Sequence, residues 1–285
     1  MKIFKKVFFS AVALGATTIA LASCANAKND DGVTIIYAET KGAPAPFIYQ
    51  DEQGNLDGYD IAVINEVFDR LPQYKLDLQV SDSALVDAQT GTIDFTINNW
   101  SYNSSRAETY YFSYPYTRAK YAFVSGDGVA YSSFSQVAEA GKKVFGSQGN
   151  NATNAIERWN EANPSKQIEI EYTGIDITAK IPYYLSGEYV ELGDIPVLNA
   201  WAKEYPDTYG TLKQTILSDE ETKLITTSAT SHLLFGKAAA NSVKLRQEIS
   251  NVIKELHDDG TLTRLSIQYA GVDLAPSDSD YVYLN

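Results

Sequence analysis

Short runs of alternating apolar and polar residues are interleaved along this chain with longer runs of helical spacing. In Ile93-Asp94-Phe95-Thr96-Ile97, the three apolar residues share one face, the pattern of a half-buried strand. Residues 33–38 read as a short apolar strand, and Leu76, Leu78 and Val80 alternate as another. Between these two, Ile61, Ile64, Val67, Phe68 and Leu71 recur at helical spacing, which predicts a helix over residues 60–71 with one buried face. Strand, helix, strand in this order predicts a βαβ unit and a parallel sheet. A second α/β set follows, with strands at 143–146 and 168–172 flanking a helix at 152–161. A helix at 177–185 with Pro182 near its start and a strand at 212–217 come next. The last long helix, residues 243–256, carries Leu245, Ile249, Val252, Ile253 and Leu256 on one face. Asp259-Gly260-Thr261-Leu262 then gives a glycine stop and a new helix start.

The stretch around which this pattern is organised is Asn98-Asn99-Trp100-Ser101-Tyr102-Asn103-Ser104-Ser105-Arg106. Here the chain leaves a strand through small hydrogen-bonding residues and reaches one arginine. Strand ends that open into polar loops are where α/β folds place ligands. Small residues let backbone N–H groups approach a ligand, and Arg106 offers a planar fork suited to a carboxylate. Taken alone, the stretch also fits a polar turn with a solvated arginine.

The N-terminus adds a compartment. Lys2, Lys5 and Lys6 precede an apolar run over residues 7–22, the charge and length of an export signal. Leu21-Ala22-Ser23-Cys24 then matches the bacterial lipobox, in which the cysteine thiol takes a diacylglycerol. The chain has one cysteine, and it stands at the required place, so no intramolecular disulfide is expected. No later run is long and apolar enough to span a bilayer. The expected product begins at Cys24, lipid-tethered outside the cytoplasm, with a flexible linker over residues 24–32. Formal net charge is −13, and the signal carries three lysines and no acid, which leaves −16 on the remainder. That surface argues against nucleic acid and against a polybasic membrane patch. The twenty tyrosines suit polar clefts and half-buried surface alike.

Several motifs in order then carry a resemblance. They are Pro46-Phe47, Gly54-Asn55-Leu56-Asp57-Gly58-Tyr59-Asp60, Gly91-Thr92-Ile93-Asp94, the Asn98 to Arg106 stretch, and Phe112-Ser113-Tyr114-Pro115-Tyr116. In this order and spacing the chain resembles the amino-acid-binding proteins of ABC importers, the bilobed solute-binding proteins of family 3. The resemblance implies an α/β, two-lobed periplasmic-binding-protein-like fold, each lobe a mixed, mostly parallel sheet flanked by helices, with a cleft between. On this pattern residues 1–23 are the signal, 33–125 and 226–275 the first lobe, 126–225 the second, and 276–285 a polar surface tail. Gly126-Asp127-Gly128 would be the first crossing, after a strand at 121–125, and residues 218–227 the return.

A free amino acid is a zwitterion, so both of its charges must be paired when they leave water. The resemblance implies that Arg106 holds the carboxylate, with Ser101 and the backbone of Asn98, Asn99 and Trp100 beside it. Asn103 stands where the family often has threonine. In the second lobe, Ser147-Gln148-Gly149-Asn150-Asn151 follows a strand and opens a helix, where N–H groups favour an anion. It resembles the family's G-T-T segment; Asn150 also reads as an ordinary N-cap. Gly187-Glu188-Tyr189-Val190-Glu191-Leu192-Gly193-Asp194 resembles the family's G-x-x-D-A-x-x-x-D, whose last aspartate pairs with the ammonium. Asp194 matches it; the earlier, structural aspartate is Val190 here. Where the family clamps the ligand side chain between aromatics, this chain has Pro44 and Asp82, and Trp100 is a candidate replacement wall. Glu39, Lys41 and Asp82 are candidates for reading a polar side chain. Ala62 replaces the second acid of the G-F-D-x-D segment.

The function implied is capture of a polar amino acid, cystine being a specific candidate, by lobe closure and delivery to a membrane permease. No cofactor or metal is expected, and the chain is expected to act as a monomer. A dehydratase- or lyase-like enzyme on the same fold is the first rival. Against it, His232 and His257 are the only histidines, and neither falls in a catalytic motif. A surface adhesin or sensor is the second; it would not need Arg106 and Asp194 to converge on one cleft.

Overall fold

A computed structural model describes residues 32–42, 45–148, 150–226 and 228–285. Strand β1 (Thr34–Thr40) buries Ile36, Ala38 and Thr40 in alternation. A short hairpin, β2 (Tyr49–Gln50) and β3 (Leu56–Asp57), leads through Gly58 into helix α1 (Tyr59–Asp69). Gly58 has φ 122°, and a Cβ there would lie 2.3 Å from the Phe47 carbonyl oxygen, so only glycine fits this turn. Helix α1 buries Ile61, Ile64, Val67 and Phe68, the face that its spacing predicts. The chain continues through β4 (Tyr74–Val80), α2 (Ala84–Thr90), β5 (Phe95–Ser101), α3 (Ser104–Thr109), β6 (Tyr110–Phe112) and β7 (Thr117–Arg118).

A second group of elements follows: β8 (Tyr121–Ser125), α4 (Phe134–Glu139), β9 (Lys143–Gly146), α5 (Asn151–Ala162), β10 (Glu169–Tyr172) and α6 (Ile177–Leu185). It continues with β11 (Val190–Asp194), α7 (Ile195–Glu204), β12 (Lys213–Ile216) and α8 (Asp219–Ile225). The chain then returns with β13 (Thr230–Gly236), α9 (Ser242–Asp258) and α10 (Thr261–Ala270). Helix α9 buries Leu245, Ile249, Val252, Ile253 and Leu256, and Gly260 separates it from α10 in the left-handed conformation.

These elements make two lobes. The first is a mixed sheet in the order β4-β1-β5-β13-β6, with β7 also on β13. Strands β4 and β5 run parallel to β1, and β13 runs antiparallel to β5, β6 and β7. Its core joins the sheet to α1, α9 and α10 through Ile64, Phe95, Phe235 and Ile253. The second lobe has β8 between antiparallel β11 and β12, and a parallel β9–β10 pair. One bridge, Lys143 to Tyr189, links the two sheets of that lobe.

Three expectations need correction. Strand 121–125 does not close the first lobe. All five of its residues are buried, and its ladder partners are β11 and β12, which makes it the central strand of the second. The outgoing crossing therefore falls at Ala119-Lys120, between β7 and β8, rather than at Gly126-Asp127-Gly128. Ala119 N–H donates to the Ala229 carbonyl at 2.6 Å, tying the outgoing segment to the returning one. Strand β5 does not stop at Ile97 but runs to Ser101, because β13 continues to pair with it. Pro182 lies inside α6, not near its start. The polar tail over residues 276–285 lies mostly at the surface, as expected, but is docked there. Its Tyr281 ring meets Tyr114 edge-on at 5.8 Å, and Tyr283 stacks on Tyr114 at 4.5 Å. The Asn285 side chain accepts from Phe112 N–H and donates to the Tyr110 carbonyl. Arg246 donates to the Asn285 backbone carbonyl at 2.8 Å and lies 4.4 Å from the Tyr283 ring centre.

Burial of that tail is measurable. Tyr281 is 9 % exposed. Tyr281→Ala should lower stability by about 3 kcal/mol, read as a lower urea midpoint at unchanged slope. An unchanged midpoint would show that the tail does not contribute to the first lobe.

Candidate ligand-binding site

The first lobe's half of the site grows out of a bulge in β5. Between the pairings Thr96 to Leu234 and Trp100 to His232, β5 advances four residues while β13 advances two. Asn99 absorbs the excess in the left-handed conformation, at φ 52°, which a short polar side chain tolerates. A buried carboxylate fixes it there. Asp60 Oδ2 accepts from the Asn99 N–H at 3.1 Å and from the Tyr116 hydroxyl at 2.9 Å. Burial pushes the Asp60 carboxyl up to about 7, against the pull of those two donors. The Tyr59 hydroxyl donates to the Tyr116 carbonyl and closes the network. Alongside, Asn98 Oδ1 accepts from Thr40 Oγ1 at 3.1 Å, so the bulge is also tied to the end of β1.

Past the bulge, Asn103 caps α3: its Oδ1 accepts from the Arg106 N–H at 2.7 Å. This tight turn folds Arg106 back over the strand. Its Nη1 donates to the Ser101 carbonyl at 2.8 Å, and its guanidinium carbon lies 4.9 Å from the Trp100 ring centre. Partial burial lowers its pKa from the usual arginine value, but the group remains a cation. Among the described residues it makes no ion pair, and Tyr110 bears on its charge.

The second lobe's half is built on strand ends. Asn150 caps α5, with Oδ1 accepting from the N–H groups of Ala152 and Thr153 at 2.8 and 3.2 Å. The capping role is therefore met, and two of the helix-start N–H groups are occupied by it. The Asn151 side chain reaches the Tyr121 hydroxyl. Tyr121 stands opposite Asp194 in the β8–β11 ladder. Burial raises the Tyr121 pKa above its ordinary range, the Asp194 charge raises it further, and Asn151 opposes the shift.

Asp194 ends β11 and occupies the N-cap of α7, yet its side chain makes no capping bond. Its Oδ1 is shielded from solvent and has no hydrogen-bond partner among the described residues. Burial alone pushes the carboxyl up to about 7. The helix start nearby favours the ionised form, but no cation meets it.

Sequence-derived candidates thus fall into two groups. Asn98, Asn99, Trp100, Ser101 and Arg106 form one strand–turn–helix unit, while Asn151 and Asp194 meet at Tyr121 and Asn150 is taken up as the cap of α5. Ser101 and Asn151 meet as walls of one cavity between the lobes. Trp100 is committed beneath Arg106, with its indole N–H directed at Thr96 Oγ1, so it supports the arginine instead of forming a wall of its own. Glu39, at the end of β1, has Oε2 buried without a partner; burial raises its pKa, Ser81 opposes and Asp87 adds. Asp82 is exposed on the β4–α2 turn. Pro44 and Cys24 lie outside the described residues.

Sequence reading passed over Asp60, Tyr116 and Tyr121. Asp60 was visible as an acid at the start of an apolar helix, but a first-turn acid is ordinarily solvated. Neither histidine joins the site. His232 is buried, its pKa pushed down to about 4 by burial, with Nδ1 at 2.8 Å from the Ser113 carbonyl and Nε2 at 3.0 Å from Thr230 Oγ1. His257 pairs with Asp258 at the end of α9.

Comparison with known proteins agrees with this architecture. The sequence pattern of the bacterial extracellular solute-binding proteins, family 3, matches residues 36–272. The chain is 25 % identical to the L-cystine-binding protein TcyK of Bacillus subtilis over 229 residues, 78 % of each chain. It is 28 % identical to the probable amino-acid-binding protein YxeM of the same organism over 275 residues, 93 % of this chain and 96 % of that one. Among solved structures, the unliganded, open L-cystine solute receptor of Neisseria gonorrhoeae superposes with a TM-score of 0.67 at 23 % identity. That superposition covers 85 % of this chain and 95 % of the receptor.

The unpaired Asp194 has a stability signature. Its pKa is raised in the folded state, from 3.8 to about 7, so folding takes up a proton between those values. The residue costs the fold nothing below pH 3.8, progressively more as pH rises, and its full cost above about 7. Asp194→Asn should therefore raise the unliganded melting temperature by several degrees at pH 8, a gain that vanishes near pH 4. A variant less stable than the parent at pH 8 would mean that Asp194 is already paired.

Proposed function

The chain is a family 3 bacterial extracellular solute-binding protein, and from that premise we propose that it captures a free polar amino acid for a membrane permease of an ABC importer. One observation carries the reading. Arg106 on the first lobe and Asp194 on the second are opposite charges, partly desolvated, and neither has an ion-pair partner among the described residues. A zwitterion is their complement: its carboxylate suits the Arg106 fork and its ammonium suits the Asp194 carboxylate.

The two anchors sit on different lobes, so a ligand satisfies both only when the cleft closes on it. Closure is then the state that ligand favours, by the difference between two anchors and one. The closed form is the one delivered to the permease, and no bond of the ligand is broken. Cystine is the specific candidate; relatives named for binding L-cystine support it. Glu39, with its shielded oxygen at the end of β1, is the candidate reader of a polar side chain, while exposed Asp82 is poorly placed for that role. On this reading a diacylglycerol on Cys24 tethers a monomer to the outer face of the membrane. The enzyme alternative finds little support, because burial keeps His232 neutral, with both ring nitrogens engaged by Ser113 and Thr230, and His257 lies at the far end of α9.

Thermal unfolding of the chain from Lys28 onward, against amino acids, L-cystine and small peptides, tests the class. A ligand at 100 times its dissociation constant should add about 2.7 kcal/mol of stability. Arg106→Ala or Asp194→Ala should each weaken binding by roughly 2–5 kcal/mol, because one ligand charge is left buried and unpaired. No stabilisation by any amino acid would overturn the class. Stabilisation that survives both substitutions would keep the class and reject this site.

A further inference from the structure

A cavity of about 690 Å3 opens between the lobes beside the two anchors. Neither anchor lines it, but their neighbours do: Ser101, whose carbonyl holds Arg106, and Asn103, which caps the arginine's helix, form one wall. Asn151, which reaches the Tyr121 that faces Asp194, belongs to the opposite wall. Its volume falls in the range of about 300–1,000 Å3 that encloses drug-sized molecules, more than one amino acid fills.

Its charge runs against the rest of the molecule. The chain carries 36 acids against 23 bases, yet among the described residues no Asp or Glu lines this cavity, while Arg158 and Lys223, both exposed to solvent, do. Arg158 Nη2 donates to the Leu224 carbonyl at 2.8 Å, which fixes the fork between α5 and α8 with N–H groups to spare. Among the described residues, neither cation makes an ion pair. Glu220 feels the Lys223 charge but is fully exposed and lies outside the cavity wall. The same lining includes apolar Ala155, Trp159 and Ile225.

We propose that this groove receives the far end of an elongated amino acid whose distal group is a carboxylate, read by Arg158 and Lys223. The inference rests on the zwitterion reading of Arg106 and Asp194 and extends it. The α-amino acid head is held at those two residues, an apolar chain crosses Trp159 and Ile225, and the second carboxylate ends in the only part of the cavity wall that carries charge. Amino acids with one carboxylate use the head site alone.

Two probes of equal chain length separate head from tail: L-2-aminosuberate, which ends in a carboxylate, and L-2-aminooctanoate, which ends in a methyl group. Titration calorimetry of the purified protein with each, and with L-cystine, should show aminosuberate binding about tenfold tighter than aminooctanoate. Arg158→Gln and Lys223→Gln should each remove most of that difference and leave aminooctanoate within about twofold of the parent, while Arg158→Lys retains part of it. Equal affinity for the two probes in the parent, with Asp194 still required, would overturn the groove inference alone. Equal weakening of both probes in the Gln variants would overturn it too, by assigning Arg158 and Lys223 a purely structural role. Failure of every amino acid to bind would overturn the head site first, and the groove with it.

Discussion

A carboxylate shut away from water without a partner is among the costlier features a fold can carry. This one carries a half-buried carboxylate at Asp194, at the end of β11, one oxygen of which is shielded from solvent and has no partner among the described residues. Its cap position on α7 goes unused, and its carboxyl is pushed up to about 7 by burial alone. Arg106 is the counterpart on the other lobe, half-buried and held by a backbone carbonyl and an indole face, with no ion-pair partner among the described residues. Each charge lacks what the other offers, and the two lie on separate lobes. The unliganded molecule therefore holds an electrostatic deficit that a zwitterion between the lobes removes. Binding and closure are one event on this account, because neither lobe supplies both charges.

The first lobe gives up further stability to set its half. Asp60 is fully buried in the first turn of α1, where one oxygen accepts from the Asn99 N–H and the Tyr116 hydroxyl. In return, β5 can hold a two-residue bulge against β13 and turn toward α3 at the right point to bring Arg106 back over Ser101. The glycine at 58 belongs to the same construction, since it lets the chain pass within contact of Phe47 before α1 begins. The G-x-L-x-G-Y-D run is thus less a binding motif than the footing of one. Solute binding is often described through the residues that touch the ligand; here a carboxylate one layer behind them decides where they point.

Much of this was legible in the sequence. Helices α1 and α9 and strands β1, β4 and β9 follow from local periodicity, because one face of each packs on its own lobe's core. Asn150 read as a cap and is one. What was not legible depends on pairing between distant segments. Residues 121–125 are an unbroken buried run, which shows that the strand is covered on both faces but not which strands cover it; its partners come some 65 and 90 residues later in the chain. The tail reads as polar because its serines and aspartates are, while Tyr281 and Tyr283 find their partner only in Tyr114, far upstream. Trp100 looked like a free aromatic wall, since nothing local announces that the α3 turn returns an arginine onto its face. Asp60 was hidden for the opposite reason: its position in sequence is ordinary, and only the bulge opposite makes it a structural partner.

The claim at the centre is that one ligand draws the lobes together by meeting Arg106 and Asp194 at once. Exposed Ser105 on α3 and exposed Ala162 on α5 stand on opposite lobes. With Cys24 replaced by serine, cysteines placed at these two positions are the only ones for a fluorescent donor–acceptor pair. Energy transfer between them, measured with and without saturating ligand, reads the lobe separation directly. The account predicts a rise in transfer on ligand addition that is lost in Asp194→Asn even at concentrations that still fill the Arg106 half. Unchanged transfer in the parent protein under saturating ligand, or a rise of equal size in the Asn variant, would contradict it.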